Sequence, residues 1–294
     1  MAQWAEAFGT YEAWSVNCPF CRGGGFIESV RFAPDLASLG MFRDPSDSSH
    51  QRCPCWLNWV TMQRLWDKEF PHAYIRLNWD STWPRLWDNL SEEGQRIWTE
   101  RMPDSYAWKF DDEDELAMRF WVDNPNAVNV KGLSVILHGD KGVGKTALAT
   151  VLVKELTKRL GVDASGYISS FNPSFLVADE LYEYLSNKDW KGREVSNQAM
   201  RSSILVLDDL RFNYTGYVQV EYIERLHSFL QYRAGCNLPT IITANKIIAS
   251  QDFANNSITE FLGLSNQGAP KKFGKYRYIQ LVNEPLRPDP EWSC

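Results

Sequence analysis

The chain has 294 residues, with 31 Lys/Arg against 37 Asp/Glu, a net charge of −6 and 44% hydrophobic residues, enough for a sizeable core. This balance disfavours tight nonspecific binding to duplex DNA, which draws on many phosphate contacts. It holds no apolar run long enough to span a membrane, and MAQWAEAFGTYEAW lacks the basic-then-apolar order of a secretory signal, so a cytoplasmic location is expected. In a reducing compartment, closely spaced cysteines point to metal rather than to disulfides.

Two such pairs stand near the start of the chain. Cys18 and Cys21 lie in CPFCRGGGF, and Cys53 and Cys55 in RCPCW. Four thiolates make a closed tetrahedral zinc site, with His50 as a spare ligand because the second pair is unusually tight. Cys236 and Cys294 stand apart. Residues 56–70 space Trp56, Trp59, Leu65, Trp66 and Phe70 as on an amphipathic helix. Further helices are expected around 91–101 and 113–121, the latter opened by the acidic run DDEDE, which suits a helix N-terminus. Eleven of the 13 tryptophans lie within residues 1–121, which hold 12 Lys/Arg against 19 Asp/Glu, a net of −7; the remainder holds 19 against 18, a net of +1. We divide the chain into 1–121, a metal-binding and partner-binding region, a linker over 122–131, and a second domain over 132–294.

From residue 133 strands alternate with helices, which predicts a mostly parallel sheet flanked by helices. Strands are expected at 133–138, 166–171, 204–210, 239–245 and 275–282. Helices are expected after the first strand, closing at Gly161, and over 173–185 and 218–233. KKFGKYRY, at 271–278, interleaves basic and aromatic residues as a strip for single-stranded nucleic acid would, but reads better as a strand with solvated lysines.

The turn after the first of these strands carries the most specific signal. GDKGVGKT, Gly139–Thr146, fits the phosphate-loop pattern in full, between a strand and a helix. Its backbone N–H groups cradle phosphates at a helix N-terminus. Gly139, Asp140, Lys141, Gly142, Val143, Gly144, Lys145 and Thr146, with Ala147 in the first helical turn, are therefore the expected ATP-binding residues. Lys145 reaches the β- and γ-phosphates and Thr146 ligates Mg²⁺. In ILVLDDL, Asp208 would serve the Mg²⁺ ion and Asp209 would polarise the attacking water. Asn245, after the strand TIITA, would orient that water.

Taken together, GDKGVGKTALA, ILVLDDL and QYRAGCNLPTIITAN resemble the AAA+ ATPases of the DnaC/DnaI helicase-loader group and the related IstB-like transposition ATPases. The similarity covers roughly 130–287. It implies an arginine shortly before the PTIIT strand, matched by Arg233, and a final strand followed by an arginine, matched by YIQLVNEPLR. The chain departs from the group where an arginine finger is expected: SITEFLG, 257–263, has Glu260 and Phe261 there, leaving Arg225, Arg233 and Arg277 as substitutes. No separate helical lid is expected after Asn245. The pattern C-P-x-C-x-x-x-G-[FWY] followed by C-x-C and a helix resembles the N-terminal zinc module of many DnaC/DnaI-like loaders.

The resemblance implies an AAA+ (ASCE) P-loop ATPase using ATP, Mg²⁺ and Zn²⁺. It would assemble into an ATP-dependent oligomer and load a hexameric replicative helicase onto single-stranded DNA. Two rivals are an IstB-like regulator acting on target DNA for a transposase, and a zinc-stabilised adaptor that binds ATP with little turnover.

Overall fold

The computed structural model describes residues 10–11, 15, 18, 21, 24, 26–28, 43–44, 47–75, 77, 79, 112–161, 171–186, 190–210, 217–245 and 276–281. The expected helix around 91–101, most of the expected strand at 166–171, the SITEFLG segment and the terminal NEPLR lie outside them. The chain forms two compact units, one of residues 1–107 with 150–171, the other of residues 108–149 with 172–294.

In the first unit, β1 (Phe26–Glu28), β2 (Arg43–Asp44) and β3 (Asp47–Arg52) form an antiparallel sheet in the order β1-β3-β2. Helix α1 (Pro54–Asp67) follows at once, with Pro54 in its first turn, where a missing N–H costs nothing. Helix α1 buries Leu57, Trp59, Met62 and Leu65, and Phe70 and, on the short helix α2 (His72–Ile75), Ile75 are buried as well. Residues 150–160, which also belong to this unit, bury Val151, Leu152, Val153 and Leu156.

In the second unit, α3 (Asp112–Asp123) and α4 (Pro125–Lys131) precede the sheet. Residues 122–131, expected to be a linker, are thus helical. Pro125 starts a new helix rather than breaking one, and Val128 is buried. The sheet comprises β4 (Ser134–His138), β5 (Pro173–Val177), β6 (Ile204–Leu210), β7 (Thr240–Ala244) and β8 (Tyr276–Gln280). Its order is β5-β6-β7-β4-β8, and every neighbouring pair is parallel. Helix α5 (Lys145–Leu160) leaves the turn after β4; its residues 145–149 belong with this unit and 150–160 with the first. The other helices are α6 (Ala178–Ser186), α7 (Trp190–Arg201) and α8 (Tyr217–Gly235). The core joins Ile136, Leu205, Leu207 and Ile242 of the strands to Tyr222, Leu226, Phe229 and Leu230 of α8.

One element was misread. PSFLV was expected to open a helix, but it is strand β5, at the end of the sheet among the described residues, and the helix starts only at Ala178. Proline suits the first position of an edge strand as well as the first turn of a helix. Phe175, Leu176 and Val177, which favour strands, then pair with Val206–Asp208.

Candidate nucleotide and metal sites

The phosphate loop turns back on itself at Gly142 and Gly144, with φ of 92° and 90°, a region that side chains rarely allow. This turn delivers Lys145 to the start of α5. Lys145 is 7% exposed, and its Nζ donates to the carbonyls of Gly139 at 2.9 Å and Asp140 at 2.6 Å. Burial pulls its pKa down, against the opposing attraction of Asp208 and Asp140.

The next residue reaches across the sheet. Thr146 Oγ1 donates to Asp208 Oδ1 at 2.9 Å. Asp208 Oδ1 also accepts from Thr243 Oγ1 at 2.6 Å, and Thr243 Oγ1 accepts the backbone N–H of Asp209 at 2.8 Å. Asn245 Nδ2 donates to Asp209 Oδ1 at 3.0 Å. Adjacent residues of a regular strand face opposite sides, so Asp208 and Asp209 should not both meet one face of β7. A bulge resolves this: the register slips between Leu207, opposite Ile242, and Leu210, opposite Ala244. Asp209 takes a φ of 55° there. Both carboxylates can then address Thr243 and Asn245, which are two residues apart on the same side.

Lys145, Thr146, Asp208, Asp209 and Asn245, five of the expected site residues, are therefore brought together. Thr243 was missed. Its signal was a second hydroxyl in the buried strand TIITA, two positions before Asn245. The donors suit Mg²⁺, which takes hydroxyl and carboxylate oxygens and is commonly bound by one carboxylate with substrate phosphates.

Arg233 is a correction. It was expected at the catalytic centre or reaching a neighbouring subunit, but it is fully buried at the C-terminal end of α8. Its guanidinium donates to Thr240 Oγ1 (3.0 Å) and to the carbonyls of Ala199 (2.7 Å), Ser202 (3.1 Å) and Pro239 (2.7 Å). Those partners sit where β7 begins, whereas the phosphate loop meets the end of the strands. Burial lowers its pKa to about 10. Of the other substitutes, Arg225 bonds Glu221 and the Leu185 carbonyl, and Arg277 on β8 faces Asp114 at 3.4 Å. Within KKFGKYRY, Tyr276 and Tyr278 are buried, so neither ring offers a stacking surface.

In the first unit, the sulfurs of Cys18, Cys21, Cys53 and Cys55 all lie within 4.8 Å of one another. Cys18 and Cys53 are 3.6 Å apart and Cys21 and Cys55 3.3 Å apart, too long for disulfides. A tetrahedral ion with Zn–S bonds of about 2.3 Å would separate its ligands by about 3.8 Å, and the cluster matches that span. The turn at the first pair is closed by Gly24 N donating to the Cys21 carbonyl, and Cys53 caps α1. Hydrogen bonds from Cys18 and its neighbours, with burial, push the Cys53 and Cys55 thiols up. A divalent cation reverses that tendency, since a coordinating thiol is deprotonated.

The second feature that sequence reading missed is Tyr11. Its hydroxyl lies 3.2 Å from Cys55 Sγ and 3.8 Å from Cys21 Sγ. Burial, and then the bond to Cys55, push its pKa up, so the hydroxyl stays protonated. No local pattern marks a tyrosine seven residues before the first cysteine.

The phosphate-loop strand β4 and the carboxylate strand β6 are separated by β7, which carries Thr243 and leads to Asn245. The fold is a parallel sheet flanked by helices, with the strand order of a P-loop fold of the ASCE type. No family model matches the chain, and no curated protein does. Among solved structures, it is similar to the crystal structure of the DnaI (24% identity, TM-score 0.41, covering 58% of this chain and 86% of that one). It is also similar to the DnaC helicase loader (27% identity, TM-score 0.36, 49% and 75%) and to the replication initiator DnaA bound to AMPPCP and single-stranded DNA (15%, 0.40, 56% and 46%). No helix among the described residues is long and apolar enough to cross a membrane.

Proposed function

We propose that this chain is an ATP-dependent loader of a replicative DNA helicase onto single-stranded DNA, with a zinc-held N-terminal region that grips the helicase. The carrying observation is the convergence of Lys145, Thr146, Asp208, Asp209 and Asn245 around one loop. Lys145, which here bonds the loop carbonyls, would hold the β- and γ-phosphates of ATP. Thr146 and Asp208 would hold Mg²⁺, which would supply charge neutralisation at the phosphate oxygens. Asp209, held by Asn245, would orient the attacking water. Thr243 sets the angle between the two carboxylates.

The loader role is supported by the motif set in the sequence and by the cysteine pattern. Four thiolates favour zinc. The acidic, tryptophan-rich region 1–121 suits a basic partner surface: aromatic anchors supply most binding energy, and opposite charge steers the encounter. The motor would assemble into an ATP-dependent oligomer around single-stranded DNA in the cytoplasm.

The test is capture of a hexameric replicative helicase by the full zinc-loaded chain, without ATP, against the Cys18→Ser/Cys21→Ser chain. The wild type should retain the helicase, more weakly as salt rises, and the variant should not. Equal capture by both would remove the cysteine region from the interface. Assembly instead into a filament on duplex DNA, with no helicase bound, would favour the transposition reading.

A further inference from the structure

A zinc ion with four thiolates carries two net negative charges, and here three of the four cysteines are buried. Charge of that kind in a poorly solvated place needs donors around it. Cys53 stands at the N-cap of helix α1 and Cys55 in its first turn, where the helix dipole favours negative charge. We propose that Tyr11 supplies a donor: its hydroxyl donates to the Cys55 thiolate, and more distantly to Cys21, and so sets how tightly the metal is held and how reactive those sulfurs are. This rests on the zinc reading above.

The geometry is specific. At 3.2 Å the Tyr11 oxygen is within normal reach of a sulfur acceptor, and at 3.8 Å Cys21 is at the outer edge of that reach. The ring is fixed by an edge-on contact with Trp59, at 6.0 Å and 65°. Trp59 is buried one turn along α1 from Cys55, so the helix that positions the ligand also positions the ring that aims the donor. Cys21 is the least buried of the four thiols. Cys21 and Cys55 are the pair at 3.3 Å, so the hydroxyl quiets both the thiolate most open to oxidants and its nearest neighbour. A thiolate that accepts a hydrogen bond holds its lone pair lower in energy, which makes it a poorer nucleophile towards oxidants. The same bond stabilises the buried negative charge of the filled site and so favours the metal-bound state.

The test compares full-length wild type with Tyr11→Phe, which keeps the ring and removes only the hydroxyl. Both should fold alike and hold one zinc per chain. Outer-shell partners of metal ligands typically change affinity by about 10- to 100-fold, so Tyr11→Phe should weaken zinc binding by about tenfold in chelator competition. It should also release zinc faster under dilute hydrogen peroxide. After exchange of zinc for cobalt(II), the sulfur-to-metal charge-transfer band of the variant should move to lower energy, a change that looser packing alone would not produce. Equal affinity and an unmoved band would overturn the assignment of Tyr11 while leaving the zinc site standing. Wild type that takes up neither zinc nor cobalt would overturn both.

Discussion

The nucleotide unit and the cysteine unit solve the same problem with different means. The sheet unit buries five parallel strands under the apolar faces of its helices, and its functional residues are side effects of strand and helix geometry. The cysteine unit buries apolar side chains of α1 and of the second part of α5, and adds four sulfurs whose mutual distances match a metal ion. Binding a structural zinc contributes about 10–16 kcal/mol in small domains. One unit should therefore survive the loss of any single polar contact at its site, and the other should not survive the loss of its metal ligands.

The widest separation comes from the metal. Cys18→Ser with Cys21→Ser should abolish zinc uptake and cooperative unfolding of the first unit, read by metal analysis and near-ultraviolet circular dichroism of its tryptophans. ATP binding should persist, because the phosphate loop and the first turn of α5 belong to the other unit. Loss of ATP binding in the same variant would show that the two units share one stability.

The next largest effect breaks the sheet unit from within. Arg233→Ala leaves the carbonyls of Ala199, Ser202 and Pro239 buried without their donor, which should cost about 4 kcal/mol or more by urea titration. The fraction that remains folded should bind ATP normally. A stable variant lacking turnover would return Arg233 to the catalytic machinery.

Thr243→Val is smaller and aimed at chemistry. It removes the hydroxyl between Asp208 and the Asp209 N–H while keeping the side-chain shape. ATP should still bind, and turnover should fall about tenfold, equivalent to about 1.4 kcal/mol. Unchanged turnover would reduce Thr243 to a packing residue.

The smallest effect is on pH dependence. Burial, with the charge of Lys145, lowers the pKa of His138 in the folded chain. The unfolded chain then binds the proton more readily. This stabilisation is complete above about pH 6.5 and is lost as pH falls through the folded value. Replacing His138 by Gln should flatten the fall in urea midpoint below pH 6.5, by at most about 1.4 kcal/mol per pH unit. An equally steep fall in the variant would assign the dependence to other groups.

What was legible in the sequence follows the same division. The phosphate loop is contiguous, so its residues and the strand and helix around it could be read directly. Asp208 and Asp209 were legible as a strand end, but not the bulge that turns both towards β7, because a bulge depends on the partner strand. Arg233 was noticed for its place in a motif, yet its role depends on the end of α7, a helix whose place beside α8 no local pattern reveals. In the cysteine unit, spacing made the ligands legible and left Tyr11 invisible. Its partners are Cys21, ten residues on, and Cys55, forty-four residues on, and only the folded chain brings them together.

The central claim, that the loop and the paired carboxylates form a working Mg·ATP site, is tested most directly by binding and turnover measured on the same full-length preparations of wild type, Lys145→Ala and Asp209→Asn. Charge-assisted hydrogen bonds are worth about 1.5–3 kcal/mol, so Lys145→Ala should bind Mg·ATP about 10- to 100-fold more weakly. Asp209→Asn should bind as wild type does and release no phosphate. Equal binding by wild type and Lys145→Ala, or undiminished phosphate release by Asp209→Asn, would contradict it.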